Sequence, residues 1–349
     1  MSYLLTIQSL ISSLKVFYLL AILLALLSPP FDKLWSQTYT LHLIVCISVQ
    51  SIRDSQMFPN GVQNGSSLPN FDKPHRKPIN DLREGEFEPE EAKLRCQLAS
   101  LYRLVDLFQW SQGIYNHMTV RVPGKTTEIL INPFGLLYHE QTARTLVKVD
   151  LDGKVLHPGS TKLGINQAGY TLHSAIHGAR QDLLCVIHLH TPAVAAVSAM
   201  KCGLLPLCQE SMIVGPVAYH EYQGILVDYN ERESLVRDMG NYNVMLLENH
   251  GFVVGGETIE EAFHLTYHLI LACQTQVLAM RSGGLDAVNL PSERAALRAF
   301  ETASHGGGGV NLKDGVVDRH WGVGELEWQA WMRTLDEMGL QTGYEHRPI

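Results

Sequence analysis

The sequence predicts an α/β protein in which helices cover both faces of a central sheet. The first observation is a series of segments in which apolar residues recur at helical spacing, beginning with Leu94, Leu98, Leu101, Val105 and Phe108. The second is a set of short strand-like runs between these segments, at residues 118–122, 128–131, 146–149 and 186–190. Alternation of the two kinds of segment favours packed layers over an all-helical or all-strand protein.

Local signals predict where the later elements begin and end. A helix from about Asn166 to Arg180 precedes the strand that ends at His190, and Thr191-Pro192 caps and opens the next helix. Thr258 and Glu261 have the spacing of a capping box at the start of a helix that reaches about Met280. A short helix is expected at 291–301. A final helix has one apolar face, which indicates packing or an oligomer surface: Trp328, Trp331, Met332, Leu335 and Met338.

Composition excludes several classes of protein. Apolar residues make up 46% of the chain and charged residues 18%, as in globular proteins with a substantial core. The formal charge of −8 and the absence of a basic block argue against nucleic acid as a partner. The six cysteines lack CxxC spacing, which favours reduced thiols in a reducing compartment.

The sequence divides into four predicted regions. Residues 1–53 form a hydrophobic N-terminal segment, residues 54–88 a flexible linker, residues 89–285 the main domain, and residues 286–349 a helical extension. The apolar run at 16–27 has three interpretations, namely a membrane anchor, a secretory signal or an atypical start. An anchor or an atypical start is favoured because the remainder of the chain looks cytosolic.

Three histidines are the candidate metal ligands. His188 and His190 alternate along a strand, so they point to one face about 6.5–7 Å apart, and His250 follows another apolar run that breaks at Gly251. If the strand ends lie side by side, three imidazoles converge, which is the ligand count of an open catalytic zinc site. The alternative is a buried polar cluster without metal. His173 and His177 are four apart on one helix face but are expected to be ordinary polar residues.

The motifs around these histidines resemble the class II aldolase fold, in which three such histidines bind zinc. That resemblance covers roughly residues 90–280 and implies a layered fold with a mixed or antiparallel sheet flanked by helices. Longer segments resemble the adducin head domain of the same family. These segments are residues 132–138, 162–170, 195–203 and 332–339.

The same resemblance shows where the chain departs from an aldolase. The family's catalytic glutamate matches Gly169, which has no side chain to move a proton. Asn116 matches the family's phosphate-binding asparagine, but Phe134-Gly135 replaces its Thr-Gly pair. A vestigial phosphate pocket at Asn116 and Gly135 and a vestigial metal site at His188, His190 and His250 are therefore expected. No catalytic residue is assigned, and no cofactor is required. Zinc binding by the three histidines is left as an open alternative.

The resemblance implies a non-catalytic membrane-skeleton protein, an adducin-like scaffold or oligomerisation module at the cytoplasmic face of the plasma membrane. Expected partners are actin, spectrin and other adducin subunits. Calmodulin is doubtful because adducins carry that contact on a lysine-rich tail, and this chain ends at Ile349. The alternative is a zinc-dependent aldolase or epimerase that acts on a sugar phosphate and uses a substitute base.

Overall fold

The computed structural model describes residues 77–221, 229–304 and 321–346, with the backbone alone for 229–231. The predicted hydrophobic segment at 1–53 and most of the predicted linker lie outside these residues. Within them, no helix is long and apolar enough to cross a membrane. All five cysteines of the described part are free thiols.

Eight strands form one sheet. They are β1 (His117–Arg121), β2 (Glu128–Ile131), β3 (Val147–Asp150), β4 (Val155–His157), β5 (Cys185–Leu189), β6 (Ala218–His220), β7 (Val244–Leu247) and β8 (Gly251–Gly256). Their order across the sheet is β4-β3-β2-β1-β5-β8-β7-β6. Every pair is antiparallel except β6 with β7, which is parallel. The predicted mixed sheet is confirmed.

The helices of the described residues lie on both faces of this sheet. They are α1 (Pro89–Leu107), α2 (Gln167–Ala179), α3 (Pro192–Ser198), α4 (Gln209–Val214), α5 (Tyr229–Met239), α6 (Ile259–Met280), α7 (Glu293–Ala303) and α8 (Glu325–Glu337). Two 3₁₀ turns, Tyr138–Glu140 and Leu285–Ala287, complete the set. The predicted α/β layering is confirmed.

The two faces of the sheet belong to separate apolar clusters, and strand alternation decides which residue joins which. On β5, Cys185, Ile187 and Leu189 pack into the large cluster that includes side chains of α1, α6 and α8. Val186 faces the opposite way, into the cluster formed with α2 and α5. His188 and His190 are two and four residues after Val186, so strand alternation places both on the same face of the sheet, the one that α2 covers.

Helix starts follow the sequence signals with two differences. Thr191 occupies the N-cap position of α3 as predicted, but its side chain makes no capping hydrogen bond. The Thr258 hydroxyl accepts the Glu261 N–H at 3.1 Å, which is half of the predicted capping box. The Glu261 carboxylate instead accepts the N–H of Glu257 at 2.7 Å, one residue before the cap. The reciprocal bond is therefore displaced by one residue, to the N–H of the residue before the N-cap.

Packing at the two ends of the described chain joins them to the main core. Ile79 is fully buried and donates its N–H to the carbonyl oxygen of Leu340 at 2.7 Å. On α8, Trp328, Met332 and Leu335 are buried in the large cluster, and the Trp331 ring lies edge-on to Phe108. The apolar face of this last helix therefore packs within the chain.

Candidate functional site

Neighbouring strand ends bring His188, His190 and His250 together. His188 lies on β5, His190 follows its end, and His250 immediately precedes β8, which pairs with β5. Ring centroids are 4.7 Å apart for His188 and His190, 5.1 Å for His188 and His250, and 4.3 Å for His190 and His250. One ligand nitrogen from each lies within 4.8 Å of the others. The convergence expected from the sequence is observed.

The turn before β8 explains why an asparagine and a glycine flank His250. Asn249 has φ +56°, in the left-handed region that asparagine tolerates better than most residues. A Cβ at Gly251 would lie 2.5 Å from the carbonyl oxygen of Leu189 and 2.9 Å from the His190 ring. Only glycine lets the backbone approach this closely, so the motif serves the geometry of the cluster.

Hydrogen bonds fix how two of the rings present their nitrogens. Nδ1 of His188 lies 2.9 Å from the carbonyl oxygen of Phe252, and Nδ1 of His190 lies 3.1 Å from Oε1 of Gln112. Because both oxygens only accept, each Nδ1 carries the proton and each Nε2 carries a lone pair. These two Nε2 atoms are 2.9 Å apart. Together with the nearby ring of His250, they form a set of imidazole donors that fits a metal ion.

Burial keeps these imidazoles neutral. Desolvation lowers the pKa of His190 to about 4, and repulsion from His250 whenever that ring is protonated lowers it further. Desolvation also lowers the pKa of His188 well below its usual value, with smaller contributions from His190 and His250 in their protonated forms, and it lowers the pKa of His250. Neutral imidazole is the form that binds metal. Among the described residues, no carboxylate joins the group.

His117 occupies the space beside Gly169 on α2. A Cβ at position 169 would overlap the His117 imidazole, so a side chain there and this ring are mutually exclusive. His117 pairs directly with His188 across β1 and β5, is 2% exposed, and has no hydrogen-bond partner on either ring nitrogen. Burial lowers its pKa to about 4, and repulsion from His190 in its protonated form adds to the shift. The place expected for a carboxylate thus holds a neutral imidazole.

A second polar cluster links α2 to β1. The Thr119 hydroxyl lies 2.7 Å from Nδ1 of His173 and 2.8 Å from Nε2 of His177. Nη2 of Arg121 donates to the carbonyl oxygen of His177 at 2.6 Å and lies 3.4 Å from its Nδ1. Since arginine only donates, His177 Nδ1 accepts, its Nε2–H donates to Thr119, and Thr119 donates to His173. His173 and His177 therefore take part in a hydrogen-bonded interface between α2 and β1.

The segments of Asn116 and Gly135 lie next to each other, because one precedes β1 and the other follows its antiparallel neighbour β2. Asn116 has φ +72°, is 3% exposed, and has no hydrogen-bond partner on either amide atom. The Tyr115 and Phe134 rings are 6.3 Å apart, and a Cβ at Gly135 would contact Leu163 at 3.6 Å. Gly135 is exposed, and the side chain nearest to its Cβ position is the apolar Leu163, at the place where the resemblance predicts the remains of a phosphate pocket.

Sequence reasoning missed His117, Gln112 and Thr119. The sequence offers one signal for His117: it lies two residues before Thr119, so in a strand the two side chains point to the same face. Gln112 has no such signal, since it lies in the irregular segment before β1 and 78 residues from His190 in sequence. Nothing in a single sequence indicates that contact.

Comparison with known proteins places these features in a family. Residues 96–277 match the family described as Class II Aldolase and Adducin N-terminal domain. Adducin-related protein 1 of Caenorhabditis elegans is 49% identical over 271 residues, which cover 77% of this chain and 36% of that protein. Alpha-adducin of Rattus norvegicus is 47% identical over 299 residues, covering 83% of this chain and 40% of that protein. The chain thus spans less than half the length of these relatives.

Solved structures carry the same fold. An aldolase II superfamily protein from Pseudomonas syringae superposes with a TM-score of 0.66 at 42% identity, covering 74% of this chain and 97% of that one. L-fuculose 1-phosphate aldolase from Glaciozyma antarctica superposes with a TM-score of 0.60 at 24% identity, covering 76% of this chain and 97% of that one. The chain belongs to the class II aldolase and adducin N-terminal domain family, with adducins among its homologues.

Proposed function

We propose that this chain is a non-catalytic member of the family that serves as a scaffold and oligomerisation module of the adducin type. The observation that carries the proposal is the His117–Gly169 contact. In the aldolases that the sequence resembles, a glutamate moves the proton from this helix position, and here a buried imidazole fills its space. Loss of a general base typically lowers a rate by about 10²–10⁴-fold.

Electrostatics around the histidines support the same conclusion. Burial and other imidazoles shift the pKa values of His117, His188 and His190, and the Phe252 carbonyl also acts on His188. No carboxylate is among these causes. The nearest carboxylate after α2, Asp182, is held by Arg180 at 2.6 Å. Among the described residues, no Asp or Glu joins the group of His188, His190 and His250.

The partners of the proposed module follow from its relatives. Homologues named alpha-, beta- and gamma-adducin support assembly with other adducin subunits, as a homo- or hetero-oligomer. Association with spectrin and actin at the cytoplasmic face of the plasma membrane is the corresponding cellular role. Calmodulin is not proposed as a partner.

Assembly is testable with a full-length alpha-type adducin. The purified chain and that subunit are mixed, and sedimentation velocity is expected to show a mixed oligomer absent from either protein alone. Actin co-sedimentation is then run with the chain alone and with the mixture, and the chain is expected to pellet more with the mixture. Failure to form a mixed oligomer, together with absence from both actin pellets, contradicts the proposal.

A second candidate, a zinc-dependent lyase or epimerase, is favoured by one specific observation. The lone pairs on Nε2 of His188 and His190 face each other at 2.9 Å beside His250, a donor set that suits zinc. Bound zinc would supply Lewis acidity toward a carbonyl oxygen. The first requirement of this candidate is that the chain binds zinc. It is tested by measuring the metal content of protein that has been refolded without metal and then given Zn²⁺. His190→Ala is expected to remove the bound ion. Turnover of a phosphorylated ketose would favour this candidate over the scaffold.

A further inference from the structure

A second pair of histidines lies on α6, far along the chain from the cluster described above. His264 and His268 are four residues apart, and their ring centroids are 4.4 Å from each other. One turn of helix places such a pair on the same face, a spacing that suits chelation of one metal ion. Both rings line a cavity of about 830 Å³ between α4, α6, α7 and the start of α8.

A carboxylate from another helix faces the pair. Glu327, in the first turn of α8, places Oε1 3.6 Å from Nδ1 of His264. Its side chain is 55% exposed, so rotation about its side-chain bonds can bring the carboxylate towards His268 as well. As placed, the ligand atoms of the three residues do not all lie within 4.8 Å of one another, so Glu327 has to rotate. After that rotation two nitrogens and one oxygen from two helices, with water as a fourth ligand, would form the tetrahedral set that Zn²⁺ prefers.

The state of the two rings also suits a cation. Nδ1 of His268 is buried and has no hydrogen-bond partner. Burial lowers the pKa of His268 to about 4, with a smaller effect from the charge of His264, and burial also lowers the pKa of His264. Neutral imidazoles with an unused nitrogen bind transition metals without first releasing a proton.

The other histidine pair with this spacing shows the contrast. His173 and His177 are fully buried, and the Thr119 hydroxyl takes one nitrogen of each. The pair on α6 instead borders an open cavity and has a carboxylate beside it. Equal spacing therefore leads to two outcomes, a closed hydrogen-bonded interface on α2 and an available chelating face on α6.

We propose that His264, His268 and Glu327 form a second binding site for a divalent transition metal such as Zn²⁺, which joins α6 to α8. Trp328, the residue after Glu327, is fully buried in the core. A metal bound to Glu327 would therefore hold the first turn of α8 against α6 at the point where that helix enters the core.

The experiment measures Zn²⁺ binding to the full chain in a His190→Ala/His250→Ala background, which removes two ligands of the first cluster. Competition with a chromophoric chelator is expected to show one remaining Zn²⁺ per chain. Adding His264→Ala or His268→Ala is expected to weaken that binding at least about 10-fold, and Glu327→Gln to weaken it by a similar factor. The control is His139→Ala, whose side chain is 50% exposed on another part of the surface.

Circular dichroism and thermal unfolding accompany each titration, so that loss of fold is separated from loss of a ligand. Glu327→Gln changes a largely exposed side chain and keeps its volume, which provides a variant that folds. Bound Zn²⁺ is also expected to raise the melting temperature of the background protein but not of its His268→Ala variant. The proposal is overturned if the folded background protein binds no Zn²⁺, or if the His268→Ala and Glu327→Gln variants bind it as tightly as the background does.

Discussion

The imidazole of His117 and a side chain at position 169 cannot occupy the molecule together. A Cβ built on Gly169 overlaps the His117 ring, although Gly169 lies inside α2, where glycine is normally unfavourable. The first turn of α2 accepts this local cost because the neighbouring strand inserts a ring at that point. The two residues therefore form one packing unit across the α2–β1 interface.

Gly169→Ala is expected to destabilise the protein by about 1–3 kcal/mol, because the added methyl group forces the buried ring aside. In a His117→Ala background the same change is expected to stabilise by about 0.5–1 kcal/mol, since alanine favours the helix once the ring is gone. Urea unfolding of the two single variants and the double variant measures this reversal of sign.

Gly178→Ala is the matched control, because Gly178 lies in the same helix and nothing stands within 4 Å of its Cβ position. It is expected to stabilise the protein in both backgrounds by about 0.5–1 kcal/mol. If Gly169→Ala behaves like Gly178→Ala in the presence of His117, the two residues are not coupled.

Thr119→Val is expected to lower the free energy of unfolding by about 2–5 kcal/mol. The valine has a similar shape but leaves Nδ1 of His173 and Nε2 of His177 buried without a partner, each at a cost of about 1–3 kcal/mol. Thr119→Ser keeps the hydroxyl and is expected to lose much less. Equal losses for valine and serine, measured by urea unfolding, would indicate that packing rather than hydrogen bonding dominates at this position.

Much of the fold is predictable from one sequence because it depends on local periodicity. The helix from Gln167 to Ala179 and the strand ending beside His190 both follow from spacing and from capping residues. Alternation along β5 also predicts that His188 and His190 share a face, and an apolar run that breaks at Gly251 places His250 nearby. These inferences need only neighbours in sequence and one assumption about strand order.

Contacts between distant segments could not be predicted in the same way. The sequence shows that Gly169 has no side chain to move a proton, but not that the His117 ring, from a strand about fifty positions earlier, fills the space beside it. The partner of the Glu261 carboxylate likewise depends on the turn at Glu257, which sequence spacing does not specify. Such contacts require the register of β1 against β5 and the placement of α2 over both.

Stability is expected to fall as the pH decreases from 6.5 to about 5, because several buried histidines are neutral in the native protein. Burial lowers the pKa of His117 to about 4 and that of His177 to about 3, while the unfolded chain binds these protons near pH 6.5. In this window the unfolded state binds more protons, so each such histidine contributes a slope of about 1.4 kcal/mol per pH unit. Above pH 6.5 the contribution is complete.

Urea unfolding at several pH values measures this slope. His177→Gln keeps a hydrogen-bonding side chain beside Thr119 and removes one titrating group. The slope of its unfolding free energy against pH is therefore expected to be smaller by about 1.4 kcal/mol per pH unit, the contribution of one proton. Carboxylates such as Glu91, whose pKa is lowered through hydrogen bonds from Lys148 and Arg95 despite its burial, add their own loss of stability at lower pH. Identical slopes for the variant and the native protein between pH 6.5 and 5 would contradict the assignment.

Gln112→Ala is expected to weaken Zn²⁺ binding at the His188, His190 and His250 cluster by about 10–100-fold with little change in thermal stability. The Gln112 side chain is exposed, and its Oε1 accepts from Nδ1 of His190, which keeps the lone pair on the nitrogen that faces His188. Gln112→Glu should bind at least as tightly as the native protein, because a carboxylate is a stronger acceptor for the same N–H. Chelator competition in a His268→Ala background, which silences the proposed site on α6, separates the two centres. If alanine and glutamate at position 112 give the same affinity, Gln112 does not orient the metal-binding ring.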